Sequence, residues 1–236
     1  MVMPSRVTDN KGVVRVHGNE MGTCSYIQET QLKPRLNPSI TQPLIWKDTL
    51  KFWYSLDTGA AHIVVISTEH SMEMKSPQVT WLKADLRKVD RTKTPFIIVM
   101  GHRSIYSSAD VKTPSLDLVA ARTLENLLVA HRVDLYVAAD HHGYERTTPV
   151  ANGVGRKKDS ATVHIVVGTG GANNAWENHE TNIWNASSEK PAWSAVRLSP
   201  VFGFLRFKVD HDRLKLEFVE NEQGVLDTFT IHAPKT

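Results

Sequence analysis

The sequence predicts an α/β fold, in which a mixed β-sheet carries helices on one side and antiparallel terminal hairpins at an edge. Three observations predict it. Short, wholly apolar runs recur and empty into polar loops, two capped amphipathic helices lie between them, and the final stretch alternates β-rich segments with turn clusters. The 236 residues are 41% hydrophobic and 22% charged, with 13 Gly and 11 Pro, which excludes collagen, coiled coil and wholesale disorder. A single domain over residues 1–236 is expected, with the terminal hairpins at about 195–233.

Residues 1–45 hold Gly12, Gly18, Gly22, Pro34, Pro38 and Pro43, and read as loops and turns. His62 to Ser67 and Pro95 to Met100 are continuous apolar runs, the pattern of strands covered on both faces. Ser76 is placed to cap a first helix, with Pro77 at its first position and Val79, Leu82, Leu86 and Val89 along one face. Ser115 is expected to cap the second, whose inner stripe is Ala120, Leu124, Leu127 and Leu128 before Arg132 ends it. Val133, Leu135 and Val137, then Val163, Ile165 and Val167, supply two further strands. The tail offers Phe202 to Val209, Leu214 to Val219 and Val225 to Ile231, separated by polar turns, as hairpin strands.

Several function classes are excluded at this level. The net charge is +3 and the basic residues are scattered without interleaved aromatics, so a nucleic-acid groove is not indicated. No apolar run approaches the roughly 20 residues of a membrane helix, and residues 1–11 lack the apolar block of a secretory signal. The single Cys24 permits neither an internal disulfide nor a CxxC zinc site.

Reactive groups in α/β folds collect in the loops outside the carboxyl ends of the strands. Those loops supply Glu69 and His70, His102 and Arg103, Asp140 to His142, and Gly168 to Asn174. Imidazole with carboxylate is a ligand set for zinc, iron or manganese, and a neighbouring arginine suits a phosphate oxygen. A metal-dependent phosphoester hydrolase is the functional reading. The competing reading makes His102 a turn residue, Arg103 a surface charge and Asp140 to His142 a solvated loop; two histidine-bearing strand ends beside an aspartate favour a site. A carbohydrate-binding sandwich using Trp176, Trp184 and Trp193 ranks last.

The stretch Gly101-His102-Arg103-Ser104-Ile105-Tyr106-Ser107-Ser108 resembles the GHRPMYSS loop of the purple acid phosphatases, within the calcineurin-like metallophosphoesterases. Ala139-Asp140-His141-His142-Gly143-Tyr144-Glu145-Arg146-Thr147 resembles that family's GHVHAYERT. Supporting similarity lies in Phe52 to Ser55, Val65 to His70, Trp81-Leu82 with Val89 to Arg91, Val166 to Gly171 and the tail from Pro191 to Ser194 through Phe202-Gly203, and together the similarity runs from about Trp46 to Ile231. The resemblance implies a metallophosphoesterase-like αββα sandwich. It also implies a dinuclear centre of iron with zinc, iron or manganese that hydrolyses phosphomonoesters at acid pH.

On that resemblance His102 matches the metal ligand of the fourth motif and His142 the second histidine of the fifth. Asp140 replaces the fifth motif's first histidine and can still bind a hard ion through oxygen. His141 occupies the position between the two ligands and is expected to face outward, although it, His70 and Arg103 are also phosphate-binding candidates. Gly18-Asn19-Glu20 resembles the GNHE motif with its histidine deleted, which makes Asn19 a metal candidate, with a plain turn residue as the competing reading, and puts Glu20 either in the lost histidine's place or in its own.

The GDxG and GDxxY motifs do not occur in the sequence. Without their bridging carboxylate the expectation is a weak mononuclear site, a fold incomplete at its amino-terminal side, and either a truncated phosphatase or a non-catalytic relic that binds a phospho-ligand or protein. Asn185-Ala186-Ser187 is a glycosylation sequon, consistent with a secreted or vacuolar parent.

Overall fold

The computed structural model describes residues 7–8, 13–16, 52–109, 116–157, 160–171, 183–184 and 189–234. The two short strands β1 (Val7–Thr8) and β2 (Val13–Val16) fall where only loops were expected. A β-branched run too brief to show periodicity reads as loop in isolation, and here it gains strand geometry by pairing with a partner far along the chain.

The central layer is a seven-stranded sheet formed by β3 (Tyr54–Thr58), β4 (Ala61–Val65), β5 (Phe96–Met100), β6 (Leu135–Ala138), β7 (Tyr144–Thr147), β10 (Val163–Val167) and β11 (Ser194–Leu198). Its order is β11-β7-β10-β6-β5-β4-β3. The four middle strands, β10, β6, β5 and β4, run parallel, and both flanks are antiparallel. Short β8 (Val150–Ala151) and β9 (Val154–Gly155) form a separate hairpin. The crossovers are α1 (Pro77–Leu86) and α2 (Leu118–Ala130).

The Ser76 hydroxyl accepts from the Val79 amide at 3.3 Å, and Pro77 fills the position whose amide has no helical partner. The cap of α2 is Asp117 rather than Ser115, which lies outside the described residues. One Asp117 oxygen accepts from Val119 and Ala120 at 2.9 Å each, where an ionised carboxylate also meets the positive end of the helix.

The terminal strands β12 (Gly203–Val209), β13 (Arg213–Glu220) and β14 (Gly224–His232) do not extend the edge of the central sheet. They form a second, five-stranded antiparallel sheet with β1 and β2, in the order β1-β2-β12-β13-β14. Alternation decides this: Leu205, Phe207, Leu214, Leu216 and Phe218 all point to one side, and that apolar face must be covered. It packs on Ile63, Phe96, Ile98, Leu135, Val137 and Ile165 of the central sheet, and the Tyr144 and Phe218 rings stack at 4.3 Å. The opposite face of the central sheet buries Val64, Ile97, Val99 and Tyr136 under Val79, Leu82, Leu124 and Leu128 of the helices. Each fully buried leucine contributes roughly 1.5–3 kcal/mol. A helix, sheet, sheet sandwich results among the described residues, with the parallel strands all aimed at one end.

Candidate functional site

Backbone bonds continue past the carboxyl ends of the parallel strands and knit their loops together. Gly101 N–H donates to the Val137 carbonyl at 3.0 Å, and Ala139 N–H donates to the His102 carbonyl at 2.9 Å. The Arg103 amide donates to the Thr68 hydroxyl at 3.0 Å, which ties in the loop after β4. Gly168 N–H reaches the Gly143 carbonyl at 3.3 Å. A Cβ on Gly168 would lie 2.1 Å from the His141 carbonyl oxygen, so only glycine lets the loop after β10 approach the turn after β6.

This stitching sets His102 opposite Asp140, with Nε2 3.5 Å from Oδ1. Asp140 holds φ +67°, a left-handed conformation that aspartate tolerates better than most residues and that recurs at functional turns. Burial lowers the His102 pKa, opposed by the carboxylates of Asp140 and Glu69, and favours the neutral ring that can ligate a metal. His102 Nδ1 and Asp140 Oδ2 are buried with no hydrogen-bond partner among the described residues.

Side chains of the loop after β5 are pinned at several points. Glu145, buried in β7, accepts from the Ser108 amide at 2.8 Å and from the Ser194 hydroxyl at 2.6 Å. Tyr106 donates to buried Glu125, and burial, reinforced by that bond, pushes its pKa up to about 12. The Tyr136 hydroxyl donates to the Arg103 carbonyl at 2.7 Å. Arg103 closes a two-pronged ion pair on Glu69, at 2.7 and 3.0 Å, and that pairing holds the Glu69 carboxyl below its usual range. His141 is buried against Ser107 Oγ at 2.7 Å and does not face outward as expected. His70 is exposed, 2.8 Å from Ser67 Oγ, and shares a cleft with His102.

A profile described as iron/zinc purple acid phosphatase-like protein C matches residues 161–228. The structure aligns with that of a purple acid phosphatase from yellow lupin seeds at TM-score 0.67 and 31% identity, over 77% of this chain and 33% of that one. The chain belongs to the purple acid phosphatase family. Its sandwich is the metallophosphoesterase fold, and the matched region is the carboxyl-terminal part of the catalytic domain. The chain is 34% identical over 176 residues to probable inactive purple acid phosphatase 9 of Arabidopsis thaliana, across 73% of this chain and 27% of the relative. It is 33% identical over 173 residues to a phosphoenolpyruvate phosphatase of Allium cepa, across 70% and 34%. The chain thus spans about a third of the length of these curated relatives.

Purple acid phosphatases generally use dinuclear metal centres, and the described residues fit only one flank of such a centre. Two ligands about 2.1 Å from a tetrahedral ion lie roughly 3.4 Å apart, close to the 3.5 Å between His102 and Asp140. That separation is long for a direct hydrogen bond and apt for a shared cation. His142 is half-buried in the same turn, but among the described residues no three His, Cys, Asp or Glu side chains gather to hold an ion. Asn19, Glu20 and the Asn185 sequon lie outside the described residues.

Glu145 was missed as a functional residue although its motif was recognised. A carboxylate inside a strand reads as solvent-facing, and its partners, Ser108 and Ser194, are remote in sequence. His62, clamped between Asp57 at 2.6 Å and Asp85 at 3.0 Å, was likewise absorbed into an apolar run.

Proposed function

We propose that this chain carries part of a hydrolytic centre for phosphomonoesters, with the His102–Asp140 pair as the groups that would hold a divalent ion. The observation that carries the reading is the His102–Asp140 juxtaposition at the carboxyl ends of parallel strands, with one buried atom on each ring or carboxylate still unpartnered among the described residues. A bound ion would supply Lewis acidity toward a phosphoryl oxygen and lower the pKa of a water ligand. The chain's own residues do the rest: Glu145 and Tyr106 fix the loop that carries His102, and Glu69 orients Arg103 at the rim where a phosphate oxygen would arrive. Asp140 in place of histidine makes the ligand set harder, favouring manganese or iron over zinc.

The test is hydrolysis of p-nitrophenyl phosphate by the full chain with added manganese, iron or zinc. Turnover that falls at least a hundredfold in His102→Ala supports the reading. Turnover unchanged by that substitution refutes it.

A second reading is a phospho-ligand-binding relative without turnover. It is favoured by the lack of a three-donor cluster among the described residues. Saturable binding of inorganic phosphate by a chain that shows no hydrolysis with any of the three metals would select it.

A further inference from the structure

At the end of the sandwich opposite the His102–Asp140 pair, where β6 and β10 begin, the described residues enclose a cavity of about 480 Å³. Buried Val133 and Val163 line it from the central sheet, and Phe229 and Ile231 of β14 line it from the second sheet. Val129, in the last turn of α2, and Pro149 extend the apolar lining. The volume falls within the roughly 300–1,000 Å³ of small-molecule sites.

Three charged side chains also line the cavity: Arg91, Arg132 and Asp134. Arg91 is fully engaged. It donates to Asp134 Oδ2 at 2.6 Å, to the Pro95 carbonyl at 2.7 Å, to the His131 carbonyl at 3.3 Å and to the Arg132 carbonyl. Asp134 Oδ2 accepts from the Ile97 amide as well, at 2.8 Å, so these two charges cancel inside a closed network. The Arg132 guanidinium has no hydrogen bond or ion pair among the described residues. Its backbone holds φ +52°. The Arg132 amide donates to the Val129 carbonyl at 3.0 Å and the Val133 amide to the Leu128 carbonyl at 2.8 Å, a helix ending whose left-handed position glycine usually fills. A strained backbone thus carries an unmatched cation beside an apolar cavity. Arg156 and Lys157 are exposed on the adjoining loop, which the Arg156 amide ties to the Pro149 carbonyl at 2.7 Å.

We infer that this cavity binds a small amphipathic monoanion, an apolar body ending in one carboxylate that Arg132 receives. Size, shape and charge each bear on the assignment. An apolar cavity of about 150 Å³ accepts the six carbons of benzene, so this one holds a body of about ten to eighteen heavy atoms. The guanidinium fork matches the two oxygens of a carboxylate. A cationic headgroup would meet Arg132 at the same place and be rejected. The site lies at the amino ends of the parallel strands, and its ligand is independent of whether the chain hydrolyses phosphomonoesters.

The experiment titrates octanoate, 1-octanol and octylamine into the full chain by calorimetry, three probes that share an apolar body and differ in headgroup charge. The expected result is saturable uptake of octanoate at one site, about tenfold weaker uptake of 1-octanol, and weaker uptake still of octylamine. Arg132→Gln should bring octanoate down to the affinity of 1-octanol and leave 1-octanol unchanged. Arg132→Gly removes the same charge and relaxes the left-handed backbone, so it should lose octanoate equally while its unfolding midpoint stays at or above wild type. That pairing separates a lost contact from a damaged fold. Ala161→Leu adds bulk at a half-buried position in the lining and should weaken octanoate and 1-octanol by similar factors. Absent or non-saturating octanoate uptake, octylamine bound as tightly as octanoate, or octanoate affinity unchanged in either Arg132 variant or in Ala161→Leu overturns the assignment.

Discussion

Removing the carboxylate of Asp227 should be among the most damaging single changes to this sandwich. Asp227 lies on β14 and accepts from Arg146 of β7 at 2.6 and 3.1 Å and from the Tyr144 hydroxyl at 2.7 Å, bridging the two sheets. The Arg146 and Asp227 side chains are 12% and 9% exposed, so water does not replace the lost partner. The guanidinium also sits 4.6 Å over the Phe229 ring, which fixes it in place. Breaking such a buried pair from one side costs about 3–5 kcal/mol, because the remaining charge stays desolvated and unpaired. At this chain length each kcal/mol moves the melting temperature by roughly 2–4 °C, so Asp227→Ala should lower it by about 6–20 °C in circular-dichroism melts. Replacing both partners, Arg146→Met with Asp227→Leu, should cost much less than the two single changes combined, since no orphan charge remains. Burial alone would raise the Asp227 pKa, but the bonds from Arg146 and Tyr144 bring it below its ordinary 3.8. Its contribution is therefore present above that value and is lost as pH falls through the folded-state pKa. A loss under about 1 kcal/mol for Asp227→Ala, or a double variant as unstable as the summed singles, would refute this reasoning.

Two further outcomes follow from the same structure. Gly168→Ala forces a methyl into the His141 carbonyl and should cost about 1–3 kcal/mol in urea unfolding while shifting the Asp140 turn; a midpoint equal to wild type would show that the loops are not in contact. For His62 burial works to lower the pKa, but its bonds to Asp85 and Asp57 outweigh that and raise it above 6.5. Its stabilising contribution is full below pH 6.5 and fades as pH rises through the raised folded-state value, so His62→Ala should destabilise more at about pH 5.5 than at about pH 8.5. Equal losses at both values would remove the charged clamp from consideration.

The sequence made the parallel strands and helices legible because each carries an uninterrupted local signal. His62 to Val65, Phe96 to Met100 and Val163 to Val167 are buried on both faces, which leaves the apolar runs unbroken. The destination of the terminal hairpins was not legible, because the alternation of Leu214, Leu216 and Phe218 requires a covered face without stating which face covers it. The cap of α2 was misplaced by two residues, as Ser115 and Asp117 are both competent caps and only backbone geometry separates them. In the site, His102 and Asp140 were found through their motifs, and their approach depends on pairing between loops that no local pattern encodes. His141, expected to face outward from its position between the two motif ligands, is buried, because its ring pairs with Ser107 Oγ, a partner remote in sequence that no local pattern names. Glu145 and Asp227 escaped notice for one reason: each is a charged group whose partner comes from a distant part of the chain.

The most direct measurement of the central claim is calorimetric titration of manganese into the full chain and into His102→Ala and Asp140→Asn variants. The account predicts a saturable uptake by wild type that weakens by about tenfold or more in each variant. No uptake by the wild-type chain, or an affinity in His102→Ala equal to wild type, would contradict it.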